Sequence, residues 1–181
     1  MEQELSFGPL LDKDGNLSQR GFAYSLIKEY KRKDIKGTKS RIKEWDYYYI
    51  ADNNYGIALT IDDNSYMGLV SLSVLDIRNG KEILTKSPIF WFPNGKTNLP
   101  SSSKDGDSIK IRKWYSFRFL NQLGKRHLLC EMKHVLGKED FFCDIFLEES
   151  NPNSMVIATP FLKKRHFYYN QKINLLKAKG F

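Results

Sequence analysis

From Lys43 to Asp76 the chain reads KEWDYYYIADNNYGIALTIDDNSYMGLVSLSVLD, three apolar runs broken by two clusters of Asn and Asp. The runs, Trp45 to Tyr49, Ile57 to Ile61 and Leu69 to Val74, are rich in the aromatic and β-branched residues that suit a pleated surface. The breaks, Asp52-Asn53-Asn54 and Asp62-Asp63-Asn64-Ser65, hold residues that tolerate left-handed backbone and bond their own main chain. The pattern predicts an antiparallel meander of three strands. Side chains alternate faces along a strand, so each turn length fixes which residues share a face. A two-residue first loop puts Tyr48 and Ile50 with Ile57, Leu59 and Ile61. A four-residue second loop adds Tyr66, Gly68, Val70, Leu72 and Val74 to this even face, whose only carboxylates are Glu44 and Asp46. The odd face holds Trp45, Tyr47, Tyr49, Gly56, Ala58, Thr60, Met67, Leu69, Ser71 and Ser73, uncharged beyond Lys43 at its entrance. An antiparallel sheet with one wet face alternates apolar and polar residues. Neither face here reads as wet, so both are expected to be covered.

The rest of the chain continues in short strands. Gly80 to Trp91 reads as a strand in which Pro88 permits only an edge or a kink. Ser108 to Leu120 gives one or two more. Lys125 to Glu148 is a hairpin around Gly137, with Leu128, Cys130 and Met132 on one face. Asn151-Pro152-Asn153 is a turn, and Met155 to Phe161 and Phe167 to Leu176 are closing strands. About nine or ten strands and almost no helix predict an all-β domain, an antiparallel lipocalin-like barrel or a strongly bent sheet. Before the meander, residues 1–42 form an arm and a basic linker, and residues 43–181 form the barrel lobe. Within the arm, Gly21 to Tyr30 carries Phe22, Leu26 and Ile27 at near-helical spacing, enough for one or two turns. Those residues are the expected partial cover for the odd face, with a second copy of the chain or a second lobe over the remainder.

Composition sharpens this picture only in places. With 41% hydrophobic and 14% aromatic residues, a disordered chain is excluded. No run approaches the roughly 18 apolar residues of a membrane span, and the acidic start MEQELSFGPL lacks a secretory pattern, so the expected compartment is the cytoplasm. The net charge of +8 is concentrated. Lys28 to Lys43 carries eight basic residues against two acids, and Phe161 to Phe181 six against none. Basic segments of this kind neutralise phosphates or an anionic membrane surface. A nucleic-acid binder, however, stacks bases on aromatics of an exposed basic face, whereas these aromatics share faces with apolar residues. That argues against nucleic acid and for solvated charge.

Chemistry is sparse. His127, His134 and His166 have no ligand spacing, and Cys130 and Cys143 make no zinc motif. Asp62-Asp63-Asn64 lacks the glycine and distal Glu of a calcium loop. No metal and no cofactor is indicated. The hairpin register, taken as centred between Leu136 and Gly137, pairs Cys130 with Cys143 as free, packed thiols. Three sets remain as site candidates. Ile57, Leu59, Val70 and Leu72 line the expected apolar interior, under a lid at Pro93 to Ser108 that presents Lys96, Asn98 and Ser101 to Ser103. Tyr168, Asn170 and Lys172 alternate on the last strand and fit a headgroup at the barrel floor. Asp46 on the even face is a desolvated acid able to protonate an alkene, with the Tyr48 and Tyr66 rings stabilising the cation. Its plain alternative is an acid held by backbone, Lys43 or Arg41 at a strand end.

Six ordered segments carry a resemblance. GPLLD with Gly15, RIKEWDYYYI, YGIALTI, NLPSSS, SMVIATPF and FYYNQKIN together resemble the bacterial family called domain of unknown function 2804, over nearly the whole chain. The resemblance implies a distant likeness to two-lobed lipocalin-like proteins, among them carotenoid 1,2-hydratases and tocopherol cyclases, which act on isoprenoids. Relatives are about twice this length, so residues 43–181 correspond to a first lobe. The expected function is binding of an apolar small molecule, lipid or isoprenoid. The alternatives are a hydratase- or isomerase-like enzyme using Asp46 and a basic β-domain for nucleic acid or membrane.

Overall fold

The Asn and Asp clusters do close the meander. In the computed structural model, which describes residues 3–150 and 153–181, Asp52 Oδ1 accepts the N–H groups of Asn54 and Tyr55, each at 2.7 Å. Asp63 Oδ1 accepts that of Ser65 at 2.9 Å, while Ser65 takes a left-handed φ of 68°. Asn151 of the proposed 151–153 turn, and Pro152 beside it, lie outside the described residues.

In chain order the strands are β1 (Gly8–Pro9), β2 (Gly21–Ala23), β3 (Lys28–Glu29), β4 (Glu44–Ala51), β5 (Tyr55–Asp63), β6 (Met67–Asp76), β7 (Lys81–Lys86), β8 (Ile89–Trp91), β9 (Ser108–Arg112), β10 (Tyr115–Gln122), β11 (Lys125–Leu136), β12 (Glu139–Glu148), β13 (Met155–Pro160), β14 (Phe167–Lys172) and β15 (Lys177–Gly180). The first large sheet runs β4-β5-β6-β7, with β8 also on β6, and the second runs β15-β12-β11-β10-β9. A third runs β14-β13-β2, and β1 pairs with β3. The expected all-β class stands, but the sheets do not join into a closed barrel. Among the described residues four separate hydrogen-bonded sets replace it, and the irregular residues 93–107 lie between the strands of the first two.

The meander registers as read from its turns: Tyr48 faces Leu59 and Leu59 faces Leu72. Leu59, Ile61, Val70 and Leu72 are fully buried in one core with Phe117, Phe119, Leu128, Cys130, Cys143 and Ile145 of the second sheet. The space between the two sheets is thus occupied by side chains, with Ile57 packed at its margin. Pro88 breaks the expected Gly80 to Trp91 strand in two, and its carbonyl still accepts the Val70 N–H at 3.2 Å.

The arm departs from expectation. Gly21 to Tyr30 holds β2 and β3 rather than helix, and among the described residues the helical turns of the arm and linker are 3-10, at Arg32–Asp34 and Lys39–Arg41. Nor do Leu26 and Ile27 cover the odd face. They join Leu5, Leu10, Leu11 and Ala23 in a second core against Val156, Ala158, Phe167 and Tyr169. Strand pairing decides this: β2 forms a rung with β13, matching Phe22 to Ile157. The odd face is left open, with Trp45 at 42%, Tyr47 at 55% and Tyr49 at 50% exposure.

Candidate functional site

Two regions compete as a site, one buried and one exposed. The buried one starts from Asp46. Its position on β4 points it inward, and the Ser108 hydroxyl donates to its Oδ2. Burial pushes its carboxyl above the ordinary range, opposed by the Ser108 hydrogen bond and the Arg126 charge. Tyr48 lies two residues on, edge-on to Phe119 at 4.9 Å, and burial with the nearby Asp46 charge raises its phenol to about 12. Arg126 is itself buried. It pairs with Glu149 and donates to the Ser103 carbonyl at 3.0 Å, which also accepts from Asn121 Nδ2 at 2.6 Å. Asp107 Oδ1 takes the Asn121 N–H at 2.9 Å. The cluster stitches the long loop to the open end of the main core.

Asp46 and Tyr48 therefore come together, as the even-face parity requires. Tyr66 does not join them: it sits in the β5–β6 turn, 44% exposed, because it is the second residue of the tight loop rather than part of the ladder. Neither Lys43 nor Arg41 holds Asp46. Ser108 does, with the Arg126 charge nearby; both were missed, although Arg126 was legible. It precedes Leu128 and Cys130 by even steps, so strand alternation puts a guanidinium on the core face.

The loop is anchored rather than hinged. Asp63, fully buried, accepts the Gly95 N–H at 2.8 Å, and Leu99 packs on the core. Beside Asp63, Arg32 bonds Glu44 and the Ser65 hydroxyl, and Tyr30 also donates to Glu44. An open hollow of about 660 Å³ lies between Lys31-Arg32-Lys33 and the loop, lined by Asn98, Ser101, Ser102, Asp105 and Asp107. Asn98 thus faces a mixed-charge surface hollow, and Lys96 is not among its lining residues. On β14, Tyr168 and Asn170 are half-buried and Lys172 is exposed. The hydrogen-bonding residues there are the alternate ones: Tyr169 donates to the Lys28 carbonyl, and Gln171 bonds Ser103 and Ser154.

The exposed region is the outer face of the meander. Cross-strand rungs set Tyr47 beside Thr60 and Ser71, and Tyr49 beside Ala58, Ser73 and Thr85. Gly56 lets the Tyr49 ring lie down on β5: a Cβ there would stand 3.1 Å from the phenol oxygen and 3.2 Å from the ring edge. Trp45 leans on Tyr168 with ring centroids 6.1 Å apart, and Trp91 pairs with Met67 at the far side. Aromatic rings thus border a floor of small residues.

Among the described residues no group of His, Cys, Asp or Glu is arranged to hold a metal ion, and no helix is long and apolar enough to cross a membrane. Cys130 and Cys143 face each other as free, buried thiols. No curated protein and no solved structure matches the chain. A family model described as Domain of unknown function (DUF2804) matches residues 2–181, and the chain belongs to that family.

Proposed function

We propose that this protein binds an uncharged small molecule with an apolar face, and that it does so on the outside of the meander. The single observation behind the reading is the row Trp45, Tyr47 and Tyr49, about half exposed over a floor of Gly56, Ala58, Thr60, Ser71 and Ser73. Half-exposed aromatics beside small residues leave a shallow trough whose walls stack on a flat apolar surface. The apolar partner expected for this chain keeps its chemistry and changes its place, since Leu59, Val70 and Leu72 are already packed against Phe117, Phe119 and Leu128. Titration with the neutral dye N-phenylnaphthylamine tests the reading. Fluorescence enhancement that falls at least severalfold in a Tyr47→Ala/Tyr49→Ala variant supports it. Enhancement that the variant leaves unchanged contradicts it.

A second reading rests on the desolvated Asp46 carboxyl beside Tyr48. A carboxylic acid that keeps its proton above the usual range is the general acid a hydratase- or isomerase-like reaction on an alkene needs. Turnover of an isoprenoid alkene that Asp46→Asn abolishes, with folding intact, supports this reading. Its absence in the wild-type chain removes it.

A further inference from the structure

Resting on the outer-face reading, we infer that the ligand class is a neutral oligosaccharide. The floor of the trough is hydroxylic. Ser71 Oγ and Ser87 Oγ lie 2.8 Å apart, as do Ser73 Oγ and Thr85 Oγ1. Each hydroxyl has one donor and two acceptor positions. A pair that shares one hydrogen bond keeps one donor and three acceptor positions for a partner, and Thr60 stands on the rung beside Ser71. The floor can therefore give and take hydrogen bonds at fixed spacing.

The charge distribution narrows the partner. No ionised side chain stands on the rungs of Tyr47 and Tyr49. Asp62, nearer Trp45, uses its carboxylate on the Leu69 N–H at 2.8 Å and the Asn64 amide at 2.7 Å. The cation of this face, Lys43, lies at its Trp45 entrance and acts on Asp62, so an anion stacked at Tyr47 and Tyr49 meets no cation on their rungs. A hydrocarbon tail, or the apolar face of another protein copy, would leave each hydroxyl pair only its internal bond and strand the donor that the pair still offers.

A pyranose ring meets both demands. Its C–H face is apolar and stacks on a flat aromatic ring, and its rim carries hydroxyls that both donate and accept. Tyr49, laid flat by Gly56, supplies the stacking surface, and Tyr47 supplies another two residues earlier on the same face of the strand. From Trp45 to Tyr49 the face runs about 13 Å along β4, and four strands span about 14 Å across it. That is room for several rings, so the site suits an oligosaccharide better than a monosaccharide.

Isothermal titration with cellohexaose, maltohexaose and mannohexaose tests the inference, run beside the N-phenylnaphthylamine titration and light scattering. Binding of at least one hexaose, reduced roughly tenfold by Tyr47→Ala and severalfold by Ser73→Ala/Thr85→Val, is the expected result. Both substitutions sit on an exposed face, and unchanged circular dichroism and Tm verify their folding. Dye binding without any hexaose binding overturns the saccharide class and leaves the outer-face reading standing. Loss of both overturns both. A concentration-dependent dimer that Tyr47→Ala dissolves gives the face to a second copy and overturns the inference.

Discussion

The two faces of β4, β5 and β6 are made from the same strands and differ in almost every physical respect. The inner face is aliphatic, with Leu59, Ile61, Val70 and Leu72 fully buried. The outer face is aromatic on one strand and, on the rungs of Tyr47 and Tyr49, small or hydroxylic on the next two, with its rings half in water. Aliphatic branched side chains gain only by burial. Tyr and Trp combine a large apolar surface with a polar tip and so rest stably at a boundary. The comparison teaches that apolar character on both sides of a sheet does not mean cover on both sides; the kind of apolar residue sets the orientation.

The sharpest way to break this contrast is to truncate one residue from each face. Leu72→Ala leaves a cavity in a filled core and should cost about 2–5 kcal/mol in denaturant unfolding. Its outward neighbour in Ser73→Ala should move stability by less than about 0.5 kcal/mol. Similar losses from the two would erase the distinction.

Removing Arg126 probes the seal at the end of the inner face. Arg126→Ala leaves Glu149 without its cation and the Ser103 carbonyl with the Asn121 amide alone, and should cost roughly 2 kcal/mol. Because Glu149 is partly exposed, this loss should stay below that of a fully enclosed pair.

Gly56→Ala sharpens the outer side. The new Cβ meets the Tyr49 ring and Ile77, so the ring must lift. A loss of roughly 1 kcal/mol is expected, together with weaker N-phenylnaphthylamine binding. A fall in stability with dye binding untouched would mean that the flat ring is not the platform.

The smallest expected effect is at Asp46. Its folded-state pKa is raised, chiefly by burial. The unfolded chain then releases this proton at lower pH than the folded one, so the group's contribution to stability falls as pH rises from the ordinary aspartate value through the raised one. Asp46→Asn should flatten that slope and leave neutral-pH stability equal or slightly higher, since an amide oxygen still accepts from Ser108. A steeper loss at neutral pH would show that Arg126 outweighs desolvation. Thiol titration adds a check on the second sheet: none reactive in the folded protein, two after denaturation.

The meander's register was legible because its turns are chemically explicit and strand alternation is strict. The Cys130 to Cys143 pairing was also reached, though through a compensating error. The hairpin turns two residues later in register, with Leu136 facing Glu139, and an irregularity between Met132 and Leu136 restores the pairing at Met132 and Phe141. There His134 takes a φ of 56° and its N–H is held by Asp140 at 2.8 Å. No local pattern announces such a bulge. Sheet closure was not legible either, since it depends on whether β7, β9 and β14 meet neighbours far away in sequence. Nor was the place of the arm: Phe22 joins a β2–β13 ladder, and Leu26 and Ile27 pack on Val156 and Ala158, only once β13 is beside them. At the site, Asp46 and Tyr48 followed from parity, whereas Ser108 and Glu149 come from distant strand ends that only the packed core brings together.

The central claim is that ligand is met by the outer face while the inner face stays closed, and side-chain NMR during titration with N-phenylnaphthylamine tests it most directly. The indole signals of Trp45 and Trp91 and the ring signals of Tyr47 and Tyr49 should shift in a saturable manner, while the methyl signals of Leu59, Val70 and Leu72 stay in place. Saturable shifts of those core methyls with the Trp45 and Tyr47 signals unmoved would contradict it.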